Sequence, residues 1–349
     1  MLRASGWTRP LQDALGSARD RFRNAGGAGA DAALWTLLVA LFLWAAFAES
    51  QLFVVGLVVG SVLALGAIGL TLTYGILGFA NFAHGDLMTL GAYVAVFAYV
   101  SGGSIGPLSF GFGMILALLS AALAVAALAV LVDRIVYRRL RQRQSSVVIF
   151  SIASLGIALI VRACVLLIWG PQPHLYEPGV HRALDLPVGV KIKPDQIFII
   201  AAAFFIIALM YLFLYRTRLG KAMRATADNA DLARVSGIDT SQVMAWTWLI
   251  SGALVAIGGV LLGIQSQVTP DMGFSLLIPL FAATILGGIG SPHGALLGAL
   301  IVAVSAETST GVDLPFPPGW GTGYKPAVAF VVLIVMLILR PRGLFGAKS

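Results

Sequence analysis

The sequence predicts an all-α, polytopic helical membrane protein with about eight to ten transmembrane helices, some of them broken or re-entrant at glycine-rich segments. Of its 349 residues, 59% are apolar and only 11% are charged, and the mean hydropathy is +0.93. A membrane span needs roughly 20 mainly apolar residues. Because lipid offers no hydrogen-bond partners, each span must satisfy its own backbone groups, and this requirement favours helices. The composition excludes a soluble globular chain.

Ten apolar runs are candidate spans. They cover 32–49, 51–73, 76–100, 112–132, 146–169, 196–215, 243–266, 274–289, 293–310 and 325–340. Short gaps separate the second run from the third and the eighth from the ninth, so re-entrant or broken helices are alternatives to simple spans there. We predict a tail over 1–31, a membrane domain over 32–345 and a short carboxyl-terminal end over 346–349.

The basic residues give an independent test of the topology. Most of the 23 Lys and Arg residues lie in the tail, in 133–145, in 216–242 and at the carboxyl end. Alternation along ten spans puts these segments on one side, and the positive-inside tendency predicts that this side is the cytoplasm. Both termini are then cytoplasmic. The formal net charge of +8 reflects this topology, and we expect no nucleic-acid partner.

The segment 216–242 is the longest polar interruption in the second half of the chain. It can form a short helix that starts at a side chain able to accept hydrogen bonds from free backbone N–H groups. The helix can end at a glycine in the left-handed conformation. The residues in question are Asp228, Asn229, Ala230, Ala233 and Gly237. Two interpretations follow from the loop alone: a docking segment for another protein, or an ordinary capped helix.

The segment 69–93 is the most unusual apolar run, since polar side chains and glycines cluster in it. Asn81, His84 and Asp86 are candidates for a translocation pathway, because polar and ionisable groups in lipid are costly and mark a polar path or an internal partner. Structural roles are the alternative. Asn81 and His84 could bond across one helix face, and Asp86 could satisfy a neighbouring helix. Arg162 is predicted to snorkel toward the outer interface rather than to line the path.

Five glycines are candidate breaks in helices that line a cavity. They are Gly78 and Gly85 in the first segment, and Gly287, Gly288 and Gly290 in a second glycine-rich segment. No metal site is expected, since the four histidines and the single cysteine have no metal-binding spacing. The sequence also lacks a phosphate-binding G-x-x-x-x-G-K-[ST] motif. We therefore predict a chain without its own ATPase site, without enzymatic activity and without a bound cofactor.

Three segments resemble those of one transporter family. Residues 78–93 read G-F-A-N-F-A-H-G-D-L-M-T-L-G-A-Y. This string resembles the N-F-A-H-G hallmark segment of branched-chain amino-acid ABC permeases of the LivH type. Residues 282–299 resemble the second glycine-rich segment of that family, although His293 stands where a less polar residue is expected. From Ala227 the chain follows the pattern A-D-N-A-x-x-A-x-x-x-G-I. This pattern resembles the coupling segment of ABC importer permeases. The resemblance covers roughly residues 50–345.

The resemblance implies the transmembrane permease subunit of a binding-protein-dependent ABC importer in the bacterial inner membrane. The implied partners are a second homologous permease subunit, two cytoplasmic ATPase subunits that use ATP, and a periplasmic solute-binding protein. Branched-chain or related amino acids are the leading substrates, and urea or amides are the alternative within the family. An ion-coupled secondary transporter is the rival from another class. The Pro-containing segments 170–195 and 311–324 could receive the binding protein or could simply stiffen outer connections.

Overall fold

The computed structural model describes residues 26–99, 108, 110–176, 183–185, 190–311, 321–340 and 343–346. Within these ranges the α-helices are α1 (Gly26–Ala48), α2 (Ser50–Leu77), α3 (His84–Ala98), α4 (Phe112–Val132), α5 (Arg138–Gln142), α6 (Val147–Trp169), α7 (Pro194–Arg216), α8 (Arg218–Asp228), α9 (Ala230–Val235), α10 (Thr240–Gln265), α11 (Met272–Gly287), α12 (Pro292–Thr308) and α13 (Lys325–Leu339). A π-helix, Asp133–Tyr137, joins α4 to α5, and 3-10 turns cover Ser309–Gly311 and Gly321–Tyr324. One small antiparallel hairpin pairs β1 (Leu184–Asp185) with β2 (Lys191–Ile192).

In the described part of the chain, six helical stretches are long and apolar enough to cross a membrane. They are Ser50–Leu77, Phe112–Gln142, Val147–Trp169, Pro194–Arg216, Thr240–Gln265 and Pro292–Gly311. Shorter apolar helices cover Leu38–Ala48, Met272–Gly287 and Lys325–Leu339. The chain is therefore an all-α polytopic membrane protein, which confirms the fold class that the composition predicts.

Two helix boundaries differ from the predicted spans. The helix α1 begins at Gly26, inside the stretch that was expected to be tail. Glycine weakens a helix by about 1 kcal/mol per residue, and the apolar turns that follow can offset this cost. The predicted span 76–100 is divided, because α2 continues to Leu77 and α3 starts only at His84. Of the predicted tail, residues 1–25 lie outside the described residues.

The helix α2 forms the centre of the bundle. Every residue from Ser61 to Thr73 is buried, and the helix packs against α7, α10, α11 and α12. A helix that is apolar and buried all round belongs to a core rather than to a surface. Glycine allows its close approach to α12, since a Cβ placed on Gly56 would lie 2.8 Å from Val304 Cα.

We call one end of the bundle the basic end, defined by the π-helix with α5, by α8 and α9, and by the turn 288–291. The last described residues also lie there, since the Leu344 N–H donates to the Leu286 carbonyl at 2.8 Å. At the opposite end, the Tyr176 hydroxyl donates to the Ala92 carbonyl at 3.0 Å. Burial raises the pKa of Tyr176 well above its usual range, so the hydroxyl keeps the proton that it donates.

An aromatic cluster braces the basic end. The Tyr137 ring stacks on Trp248 with centroids 5.0 Å apart, and it lies 5.1 Å from the Phe79 ring. An ion pair of 2.8 Å between Arg141 and Asp133 closes the π-helix beneath these rings. Aromatic pairs at these separations contribute about 0.5–1.5 kcal/mol each beyond their buried area. The cluster therefore holds the residues directly after α2 in place.

Candidate translocation and coupling sites

The chain breaks after α2 and turns back into the bundle. Gly78 ends the helix with a φ of 74°, and its N–H donates to the Tyr74 carbonyl at 2.8 Å. The regular helix resumes at His84, whose Nε2 lies 2.8 Å from the Gly66 carbonyl oxygen. Gly66 lies about 16 Å before the end of α2 at 1.5 Å per residue. The helix α3 therefore starts deep within the bundle rather than at its surface.

Asn81 and His84 do not bond to each other through their side chains. The side-chain bond across one helix face that the structural alternative allowed does not form, because Asn81 lies before the first turn of α3. Asn81 Oδ1 instead accepts from the Ala83 N–H at 3.2 Å, and among the described residues its buried Nδ2 has no partner. The His84 ring is buried against α2, where a Cβ on Gly69 would lie 3.2 Å from it. His84 thus fixes the start of α3 on the central helix.

Asp86 and Arg162 form an ion pair between α3 and α6. Arg162 Nε lies 2.9 Å from Asp86 Oδ1, and Nη2 lies 3.1 Å from Oδ2. The Asp86 side chain is 1% exposed and that of Arg162 is 23% exposed. The predicted snorkelling of Arg162 is therefore wrong, since a buried carboxylate lies within reach and an unpaired charge inside the bundle would cost more.

A second contact joins the starts of α3 and α11. The Gly273 N–H donates to Thr89 Oγ1 at 3.0 Å, and a Cβ on Gly85 would overlap the Gly273 carbonyl. Gly85 was predicted to break a helix, but it lies inside α3. It permits close packing of the two helices instead. The next residue, Phe274, places its ring centroid 4.1 Å from the Arg162 guanidinium carbon. The ion pair and the two glycines therefore belong to one junction of α3, α6 and α11.

The second glycine-rich segment forms the turn between α11 and α12. Gly287 is the last residue of α11, and Gly288 and Gly290 have φ of 101° and 84°. Such values strain any residue with a Cβ. A Cβ on Gly287 would overlap Gly294 at the start of α12, so this glycine serves the close approach of two helices. The Gly290 N–H donates to Thr71 Oγ1 at 2.8 Å, which ties the turn to α2.

The polar segment 216–242 folds into two short helices and a turn. The first helix, α8, is amphipathic and buries Met223 and Thr226 against the bundle. Its apolar face therefore contacts protein. Asn229 caps the second helix, α9, by accepting from the Leu232 N–H at 2.9 Å. Gly237 follows with a φ of 87°.

The helix α9 presents an apolar face outward at the basic end. Leu232 is 62% exposed and Val235 is 81% exposed, whereas Ala233 is buried against the bundle. The two exposed side chains are three residues apart, and residues at this spacing lie on the same face of a helix. Sequence reasoning missed them. The available signal was the pair Leu232 and Val235, which lies on a different face of the helix from the small residues Ala230 and Ala233.

Among the described residues, no group of three or more His, Cys, Asp or Glu side chains could hold a metal ion. His84 and Asp86 lie close in sequence, but each contacts a protein partner, His84 with α2 and Asp86 with α6. The polar groups at the α3 start thus form contacts between helices, and Asn81 Nδ2 is the buried donor there that no described residue satisfies.

The fold and these sites define a polytopic membrane transport protein, with helices that break inside the bundle and a capped helical segment at its basic end. The family model described as "Branched-chain amino acid transport system / permease component" matches residues 52–339. The chain belongs to this family. No solved structure shows a significant match.

Several curated proteins are similar over most of their length. The high-affinity branched-chain amino acid transport system permease protein BraD of Pseudomonas aeruginosa is 35% identical over 301 residues, which cover 85% of this chain and 95% of BraD. The permease protein LivH of Escherichia coli K12 is 31% identical over 83% of this chain and 93% of LivH. A probable LivH permease of Methanocaldococcus jannaschii is 29% identical over 83% of this chain and 90% of that protein.

Proposed function

We propose that this chain is the transmembrane permease subunit of a binding-protein-dependent ABC importer for branched-chain or related amino acids. The family membership supports this function, as do the relatives named as branched-chain amino acid permeases. The structural observation that carries the proposal is the outward apolar face of α9. Two large apolar side chains exposed next to each other on a capped polar loop mark a surface that a partner protein covers.

The partner that fits α9 is an ATPase subunit. A short amphipathic helix can place its apolar side chains in a groove of another protein. The helix is held from behind, because Asn229 caps it and Ala233 is buried against the bundle. The preceding helix α8 contacts α2, α7 and α10. A push on α9 from an ATPase that closes on ATP would therefore reach the central helix through packed contacts.

The junction of α3, α6 and α11 is the part of the pathway that would respond to this push. Its polar groups are already paired, so we assign His84 and Asp86 to positioning the half-helix α3 rather than to holding the substrate. Asn81 is the remaining pathway candidate, because its amide donor is buried and unsatisfied among the described residues. A single hydrogen-bond donor of this kind would hold a substrate only weakly. Weak binding suits a passage, because the binding protein supplies the affinity for substrate.

The assembly that this function requires contains a second homologous permease subunit, two ATPase subunits that bind ATP, and a periplasmic solute-binding protein. The basic end faces the cytoplasm of a bacterium in this arrangement, since basic loops accumulate on that side of the inner membrane. ATP is consumed by the partner subunits, and this chain binds no cofactor.

The decisive experiment is the ATPase activity of the complete complex in lipid. Candidate binding proteins are added in turn, each without ligand and loaded with leucine or with urea. Stimulation by a leucine-loaded binding protein supports the proposed function and its substrate class. Stimulation by the urea-loaded protein alone would retain the importer and replace the substrate. Failure of this chain to associate with any ATPase subunit would overturn the proposal.

A further inference from the structure

A cavity of about 330 Å³ opens at the basic end, between the bundle and the polar segment 216–242, which we call the coupling segment. Its walls come from the last turns of α2 and α7, from α8, and from the turn that starts α12. None of the pathway candidates Asn81, His84 and Asp86 lines it. The cavity is therefore separate from the junction of α3, α6 and α11, and one of its walls is the helix that leads directly into α9.

The polar groups of the cavity carry opposite charges on one helix face. Arg224 and Asp228 both line it and are four residues apart on α8. Side chains at this spacing are neighbours on a helix surface. Within the described residues neither forms an ion pair, and the Arg224 guanidinium instead lies 4.5 Å from the centroid of the Tyr215 ring. Both charged side chains are therefore available to a ligand that enters the cavity.

Aromatic contacts hold the polar wall in a fixed arrangement. His293 Nε2 lies 2.9 Å from the Tyr215 hydroxyl oxygen, and the His293 ring stacks on Tyr211 with centroids 4.3 Å apart. The same Tyr215 ring carries Arg224, so the histidine, the tyrosine and the arginine form one continuous chain of contacts. His293 therefore contributes a hydrogen bond to the wall of the cavity, which a less polar residue at this position could not do.

The cavity also has an apolar lining. Leu72 and Ile76 contribute from α2, and Leu214 and Met223 contribute from α7 and α8. A ligand can use the whole lining if it carries a negative group for Arg224, a positive group for Asp228 and an apolar part for these side chains. An α-amino acid with an apolar side chain has these three features in one small molecule.

We propose that this cavity binds an α-amino acid with an apolar side chain at the basic end, its carboxylate on Arg224 and its ammonium group on Asp228. The inference rests on the proposed function, since that function brings such an amino acid to this end of the bundle. A bound amino acid contacts α8 as well as α2 and the start of α12. It therefore restrains the coupling segment, and accumulated product slows its own import.

Leucine binding to the purified full-length chain in lipid nanodiscs tests the site. Saturable binding is expected, and leucinamide and 4-methylpentanoate are expected to bind roughly tenfold or more weakly, because each lacks one charged group. Arg224→Gln should weaken leucine binding by a similar factor. Lys221→Gln is the matched control, since Lys221 is an exposed cation of the same helix outside the cavity. Its affinity for leucine should stay unchanged.

Two binding results would overturn the site: no saturable leucine binding, or equal leucine affinity in wild type and Arg224→Gln. A wild-type complex whose ATPase responds to loaded binding protein, but whose permease binds no leucine, retains the proposed function and removes this inference alone. The inhibitory role is tested by initial leucine uptake into proteoliposomes that contain ATP with either leucine or leucinamide inside. Uptake should be slower with internal leucine, and equal rates would overturn that role.

Discussion

The carboxylate of Asp86 and the guanidinium of Arg162 meet in a two-point ion pair that ties α3 to α6, with N–O distances of 2.9 and 3.1 Å. Replacing Arg162 by methionine leaves the carboxylate buried without its partner, a change that typically costs about 3–5 kcal/mol. We therefore expect Arg162→Met to lower the melting temperature in detergent strongly. We expect a pronounced loss of uptake in proteoliposomes as well.

The double variant Asp86→Leu/Arg162→Met separates charge from packing. Removal of both charges leaves no uncompensated group, so much of the lost stability should return. Arg139→Met controls for loss of an arginine, because this side chain is exposed at the basic end. A single variant Arg162→Met as stable as wild type would contradict the structural role of the pair.

Gly237 has a φ of 87°, in the region that residues with a Cβ rarely adopt. Valine at this position should cost about 1–3 kcal/mol of local strain and shift the turn between α9 and α10. We expect Gly237→Val to insert into the membrane normally while ATPase stimulation by loaded binding protein falls. Gly156→Val is the matched control, since a Cβ there meets open space. Normal stimulation in Gly237→Val would argue against the coupling role of this turn.

The outward face of α9 offers a direct test of docking. Leu232 and Val235 are exposed, so changing them removes little from the bundle itself. Each apolar side chain buried in an interface contributes about 1.5–3 kcal/mol, which corresponds to roughly 10- to 100-fold in affinity. We expect Leu232→Ser and Val235→Ser each to weaken the affinity for the ATPase subunits, measured by titration in nanodiscs.

Leu175→Ser provides the comparison for this docking test. Leu175 is also an exposed leucine, but it lies at the opposite end of the bundle, next to Tyr176. Its replacement should leave the affinity for ATPase unchanged. If Leu175→Ser and Leu232→Ser weaken association equally, the effect is a general one and α9 is not the docking helix.

Local signals made much of the fold predictable from the sequence. The apolar runs gave the helices, because the length and hydropathy of a span are properties of a contiguous segment. The caps of α9 and α10 were also predictable. Asn229 and Asp239 accept hydrogen bonds from backbone N–H groups two or three residues further on, and such short-range bonds follow from sequence order.

Contacts between distant residues were not predictable in the same way. Arg162 stands 76 residues after Asp86, and nothing in its own helix indicates a partner. The meaning of Gly85 likewise depends on Gly273, which only the folded bundle brings next to it. A glycine cluster predicts both broken helices and close helix approach, and the sequence offers no means to assign each glycine to one of the two.

The contact between Gly85 and Gly273 leads to the last prediction. A Cβ on Gly273 would overlap the Gly85 carbonyl, and it would also lie 2.6 Å from Thr89 Oγ1. Both obstacles belong to α3, and a backbone carbonyl cannot rotate away as a side chain can. Gly273→Ala should therefore push α3 from α11, weaken the hydrogen bond between Thr89 and Gly273, and cost about 1–3 kcal/mol.

Gly156→Ala is the control for this change, because a Cβ on Gly156 contacts nothing and alanine favours the helix by up to about 1 kcal/mol. Melting temperatures in detergent should fall for Gly273→Ala and stay equal or rise for Gly156→Ala. Melting and uptake together show whether stability and transport both depend on this contact. If Gly273→Ala melts like wild type, the bundle accommodates the added Cβ, and this close contact is not what holds α3 against α11. If it melts lower and uptake falls with it, the contact supports both the stability of the bundle and transport.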